Sequence, residues 1–198
     1  MASVVISGDT SGTVTLAAPA VSGTTTLTLP TTSGTVLTSA STILTSQLSG
    51  SIASSSLPAG SVLQVVNTVY STSTSTVSNT LIDTGLQAII TPTSASNKIF
   101  IMYTVPVVKA TGEVSNGVSL GVTRNGSIVG DTFWLSYGAW TGSSANNRAG
   151  YSATLLDSPS STSALTYKLR FCETYGSAGV TVCHDGSYAT MTLMEIKG

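Results

Sequence analysis

The sequence predicts an all-β protein, an N-terminal β-repeat stem followed by a jelly-roll-like β-sandwich. Three observations carry that prediction. Ser and Thr supply about a third of the 198 residues while Val, Ile and Leu recur throughout, and mean hydropathy is +0.34; Thr and Val both favour strands. An eleven-residue unit, Ser-Gly-Thr followed by alternating residues and a break, starts at Ser11, Ser22 and Ser33 in strict register. Beyond Ser61 the chain becomes a succession of strand-like runs divided by turn signals, the pattern of a sandwich or jelly roll.

The repeat comes first. Pro19 and Pro30 share its spacing, and Val14-Thr15-Leu16 and Thr26-Leu27-Thr28-Leu29 alternate. An eleven-residue period also suits a right-handed coiled coil, but Thr, Gly and Pro exclude helix here. The alternation gives short strands with one apolar side chain in two. Such a strand cannot bury its apolar face alone and must stack on the next repeat or on another chain. Residues 1–40 therefore read as a segment for attachment and oligomerisation. Residues 41–60 read as a linker, with Ser54-Ser55-Ser56 and Leu57-Pro58-Ala59-Gly60. Leu44, Leu48 and Ile52 fall four apart within it, the spacing of a short amphipathic helix that neighbouring copies would support.

Residues 61–198 form the expected head. Strand-like runs cover 62–70, 80–91, 98–109, 117–124, 127–137, 150–156, 164–173, 180–183 and 188–196. Asn125-Gly126 is a two-residue hairpin turn. Asp157-Ser158-Pro159-Ser160 and Gly176-Ser177-Ala178-Gly179 are further turns. The last run sets Met191, Leu193 and Glu195 against Thr192, Met194 and Ile196. Both of its faces are apolar, which suits either a subunit interface or a central strand of the sandwich.

Charge excludes several functions. Charged residues make up 8 % of the chain, net charge is −1, and Asp9 is the only charge before Asp83; ordinary soluble domains carry about 25 %. There is no basic stripe to neutralise phosphates, so nucleic acid is not an expected partner. No apolar run approaches the ~20 residues of a membrane helix, so no membrane insertion is expected. The N-terminus lacks the basic region and long apolar core of a signal peptide. Synthesis in a cytoplasm is expected, with release by lysis or inside a particle. A surface so poor in charge repels its copies weakly and suits self-association.

Catalysis is hard to build. His184 is the only histidine, so any Ser–His–Asp or Cys–His arrangement must use it. Its neighbours Cys183 and Asp185 would point away from it on a strand. Glycan cleavage needs two carboxylates flanking the bond, yet Glu113, Asp131, Asp157, Glu173 and Asp185 are scattered. No catalytic residue, cofactor or metal is expected; two cysteines and His184 lack a fourth ligand. Cys172 and Cys183 form a candidate pair. A hairpin centred between Ser177 and Ala178 would set their sulfurs face to face. A cytoplasm keeps thiols reduced, so two adjacent free thiols are expected at synthesis, open to later oxidation.

The stretch Phe133–Trp140 and the Gly/Ser/Asn-rich residues up to Arg148 are the best recognition candidate. Trp134, Tyr137 and Trp140 offer faces that stack on sugar rings, and Asn146, Asn147 and Arg148 offer hydrogen bonds to hydroxyls. The same aromatics equally suit strand core and a subunit seam, where large rings dominate packing.

Several phrases look familiar. The repeats over Ser11–Leu37, the phrase Leu57-Pro58-Ala59-Gly60-Ser61-Val62-Leu63-Gln64-Val65, the stretch from Asp83-Thr84-Gly85-Leu86 to Asn97-Lys98-Ile99, and Thr190–Ile196 resemble tailed-bacteriophage fibre and virion structural proteins. The resemblance implies a non-enzymatic homotrimeric fibre of tail or baseplate. Residues 1–40 would bind other virion proteins, and the sandwich head would face a bacterial surface, whose polysaccharide is a further partner. A capsid decoration protein, either head fibre or cement, is the alternative, and a small polysaccharide depolymerase the outsider.

Overall fold

A computed structural model of the chain describes residues 3–7, 10–17, 24, 26, 31, 52–110, 115–129, 136–141, 147–175 and 179–198. The chain divides into two compact units, Met1–Gly50 and Ser51–Gly198. In the first, β1 (Ser3–Ser7) pairs antiparallel with β2 (Thr13–Ala17), Ser3 opposite Ala17 and Ser7 opposite Thr13. The first repeat thus forms the expected strand, and its partner is the segment before it. The other two repeats, and Leu44 and Leu48 of the expected helix, lie outside the described residues apart from Thr24, Thr26 and Thr31.

The second unit is an all-β sandwich of two antiparallel sheets. The first sheet holds β3 (Val62–Tyr70), β4 (Thr74–Thr76), β6 (Lys98–Ala110), β10 (Asn147–Asp157), β12 (Val180–Val182) and β13 (Ala189–Ile196). The second holds β5 (Ile82–Ile90), β7 (Ser115–Arg124), β8 (Ser127–Ile128), β9 (Ser136–Thr141) and β11 (Leu165–Tyr175). The pairings nest. β3 and β4 pair with β13 and β12, β5 with β11, β6 with β10, and β7 with β9. This is a long antiparallel ribbon, outer pair to inner pair, rolled into two layers: the jelly roll. β13 and β12 then close the roll on β6, and β11 closes it on β7.

Strand boundaries follow the alternation closely. The run 127–137 instead divides into β8 and β9, and β10 begins at Asn147. Asn125 (φ 49°) and Gly126 (φ 91°) both take positive φ, as a primed hairpin turn requires. β13 is a central strand between β3 and β6, buried at every second residue, while Met194 and Ile196 on its other face are only partly buried. Residues 52–60, placed in a linker by composition, are tied to the sandwich end. Gly60 donates its N–H to the Lys197 carbonyl (2.8 Å), and Lys197 Nζ reaches the Ser55 and Leu57 carbonyls.

The core lies between the sheets. Ile99, Ile101, Tyr103, Met191 and Leu193 of one sheet meet Leu86, Leu120, Tyr167, Leu169 and Phe171 of the other, all buried. Two buried carboxylates, Asp157 and Glu195, both stand opposite Ile99 at one end of it. Tyr167 Oη donates to Asp157 Oδ2 (2.6 Å), which Arg124 also binds (2.5 Å). Burial, then the Asp157 contact, pushes the Tyr167 hydroxyl far up, so it stays protonated as a donor. Burial alone would lower the Arg124 pKa, but Asp157 raises it on balance. Glu195, with no exposed surface, accepts from Gln64 Nε2, Thr93 N, Thr93 Oγ1 and Asn97 Nδ2 at 2.6–2.8 Å.

Gly85 takes φ +99°, and a Cβ there would fall 2.2 Å from the Tyr70 ring. Gly85→Ala is expected to destabilise the protein by about 1–3 kcal/mol through backbone strain and that overlap. Urea unfolding measures the loss. No helix among the described residues is long and apolar enough to cross a membrane.

Candidate functional site

The recognition stretch falls partly outside the described residues. Trp134 and Asn146 lie there, as do the side chains of Tyr137, Trp140 and Asn147. By backbone register Tyr137 stands opposite Ser119 and Trp140 opposite Asn116, on β9, while Asn147 opens β10 opposite Ala110. The expected loop over 141–148 is therefore flanked by strand on both sides. Arg148 is engaged: its Nη2 lies 3.0 Å from Asp185 Oδ2. Both side chains are exposed, so this pair contributes at most ~1 kcal/mol.

The cysteine geometry differs from the hairpin expectation. β11 and β12 do not pair with each other: β11 lies between β5 and β7, and β12 between β4 and β6. β11 lies in the second sheet and β12 in the first, so Cys172 and Cys183, the residue after β12, belong to opposite layers. The reason is topological. In a jelly roll the seventh and eighth strands are consecutive in the chain but each closes a different sheet. Both thiols are free and buried, and burial pushes both pKa values up. The Cys183 thiol turns to the Tyr70 carbonyl (3.7 Å) rather than to His184, whose Nδ1 lies 2.9 Å from Asp185 Oδ1.

The described carboxylates occupy separate contacts. Asp157 and Glu195 hold the networks above, Glu173 Oε1 accepts the Gly179 N–H (3.0 Å), Asp185 binds Arg148, and Asp83 binds Lys168 and Arg170. Glu113 and Asp131 lie outside the described residues.

Two surfaces stand out instead, one on each face of the sandwich. The outer face of the first sheet carries an apolar row across all four strand positions. Met194 stands opposite Val65 on one side and Phe100 on the other, and Leu156 stands opposite Phe100. Val65 and Leu156 are more than half exposed. Ile196 and Val62 extend the apolar surface towards one end, and Met102 extends it inwards. Lys98, opposite Ile196, is the one charge in these rows. Farther along, the rows become mostly polar: Asn67, Thr192 and Thr154 beside Met102, then Thr190, Thr104 and Ser152 beside an exposed Val69. The apolar end is where residues 52–61 join the sandwich beside Lys197.

The outer face of the second sheet carries a polar cleft of about 440 Å³, lined by Asp83, Thr123, Asn125, Gly126, Thr166, Lys168 and Arg170. Lys168 and Arg170 stand two apart on β11, and Asp83 faces Arg170 from β5. Asp83 accepts from Lys168 Nζ (2.7 Å) and lies 2.9 Å from Arg170 Nε as an ion pair, so the cleft holds two cations on one carboxylate. No family model and no curated protein matches this sequence.

Proposed function

We propose that this chain is a structural virion fibre protein, a homotrimer that displays jelly-roll heads and attaches a bacteriophage to a bacterial surface. The apolar row Val65–Met194–Phe100–Leu156 is the observation that carries the self-assembling part of this reading. A flat sheet face with half-exposed Leu and Val, aligned across four strands and nearly free of charge, is stabilised by covering it. A second copy is the occupant we assign. The repeat segment must stack on the next repeat or on another chain, which favours self-association. The number three, the phage setting and the attachment to virion proteins through residues 1–40 rest on the resemblance of the repeats and of the phrases around Asp83 and Thr190.

The association is expected to be apolar, since burial contributes about 25 cal/mol per Å² and is barely screened by salt. Light scattering should report an oligomer in dilute buffer that persists in 1 M sodium chloride. Leu156→Glu should dissociate or weaken it, because a carboxylate placed in a dry interface lacks a partner. The head should stay folded, as Leu156 points outwards. A stable monomer at micromolar concentration, or a Leu156→Glu oligomer as tight as the wild type, would sink the proposal. Gold-labelled antibody on intact particles places the chain on tail or capsid.

A further inference from the structure

We propose that the cleft on the second sheet is a binding site for an acidic sugar, a ring carrying one carboxylate among several hydroxyls. Its biological sense rests on the attachment reading; its chemistry is its own. The volume lies in the usual range for small-ligand sites. Three of the chain's fifteen formal charges line this one cleft, in a protein that otherwise does with very few. Asp83 pairs with both cations and leaves the group a net positive charge. Arg170 is held in place by a second contact, Nη2 to the Leu81 carbonyl (2.6 Å). A positioned guanidinium with an ammonium beside it suits a carboxylate.

The remaining groups suit hydroxyls. Asn125 has its amide oriented: Oδ1 accepts the Thr166 N–H (2.9 Å), which turns Nδ2 away as a donor. The Thr123 hydroxyl, on a residue 1 % exposed, is buried with no hydrogen-bond partner. That hydroxyl has no accessible surface and is out of a ligand's reach, so the groups left for hydroxyls are Asn125 Nδ2 and the Asp83 carboxylate. Asp83 keeps lone pairs to accept from ligand hydroxyls. The cleft and the apolar row lie on opposite layers, so copies that associate through the first sheet leave the cleft open.

The test is calorimetric titration of the full-length protein with tetragalacturonate, its fully methyl-esterified form and inorganic phosphate. The acid should bind, and the ester at least about ten-fold more weakly, since it loses charge-assisted bonds to Lys168 and Arg170. The double substitution Lys168→Gln, Arg170→Gln should abolish binding. Circular dichroism and oligomer mass show that each variant is folded. If the double variant fails that check, Lys168→Gln alone takes its place and should weaken the acid but not the ester. No binding of the acid, equal binding of the ester, or displacement of the sugar by equimolar phosphate would overturn the site. Particle adsorption to host cells is a separate readout. A folded variant that loses the sugar yet adsorbs normally would remove the attachment role and leave the site standing.

Discussion

Glu195→Ala is expected to lower the unfolding free energy by about 3 kcal/mol. Four donors converge on this carboxylate, from Gln64, Asn97 and the Thr93 amide and hydroxyl. Asn97 is itself buried, so removing the acceptor strands donors with little water to replace it. The same cage sets a pH dependence. Burial alone would raise the Glu195 pKa, but the hydrogen bonds from Asn97, Gln64 and Thr93 outweigh it and hold the group below the ordinary glutamate range. The folded state therefore binds this proton less readily than the unfolded chain, and stability rises with pH across that window. The contribution is complete above the unfolded value of about 4.3. It disappears as pH falls through the lower folded value. Urea unfolding of wild type and Glu195→Gln should differ at pH 7 and converge as pH drops below about 4. A constant gap down to pH 2.5 would show that the charge is not what the cage holds.

Phe171→Ala should cost about 3–5 kcal/mol, on the order of 10 °C in melting temperature. Phe171 has no exposed surface and stands between Leu120 of β7 and Ile82 of β5. It is one of the largest side chains between the layers, and close-packed neighbours collapse only partly into the space it leaves. Ile89→Ala is the control: Ile89 is half exposed on the same sheet, and its loss should stay within about 0.5 kcal/mol.

Much of the head was legible in the chain. Alternation along 62–70, 98–109 and 188–196 predicted β3, β6 and β13 nearly to the residue, because one buried face imposes a period of two. Asn125-Gly126 predicted its turn because few residues accept positive φ twice in succession. The cysteine hairpin failed for an instructive reason. A Gly-rich turn between two strand-like runs looks the same whether the chain folds back beside itself or crosses to the other layer. The candidate surfaces were illegible for a related reason. Asp83 and Arg170 are far apart in sequence, and Val65, Met194, Phe100 and Leu156 come from four separate strands. Lys168 and Arg170, two apart and therefore on one face, were the one local signal of the cleft.

The sequence by itself determined most strands of the sandwich and its low charge, though not β4, which lies outside every predicted run. These follow from local periodicity, turn chemistry and composition. Only the tertiary structure decided which strands pair, and so which outward-facing side chains form a row or a cleft. Register across a sheet is a long-range property: it is selected by the packing of both layers at once, and no window of sequence contains it.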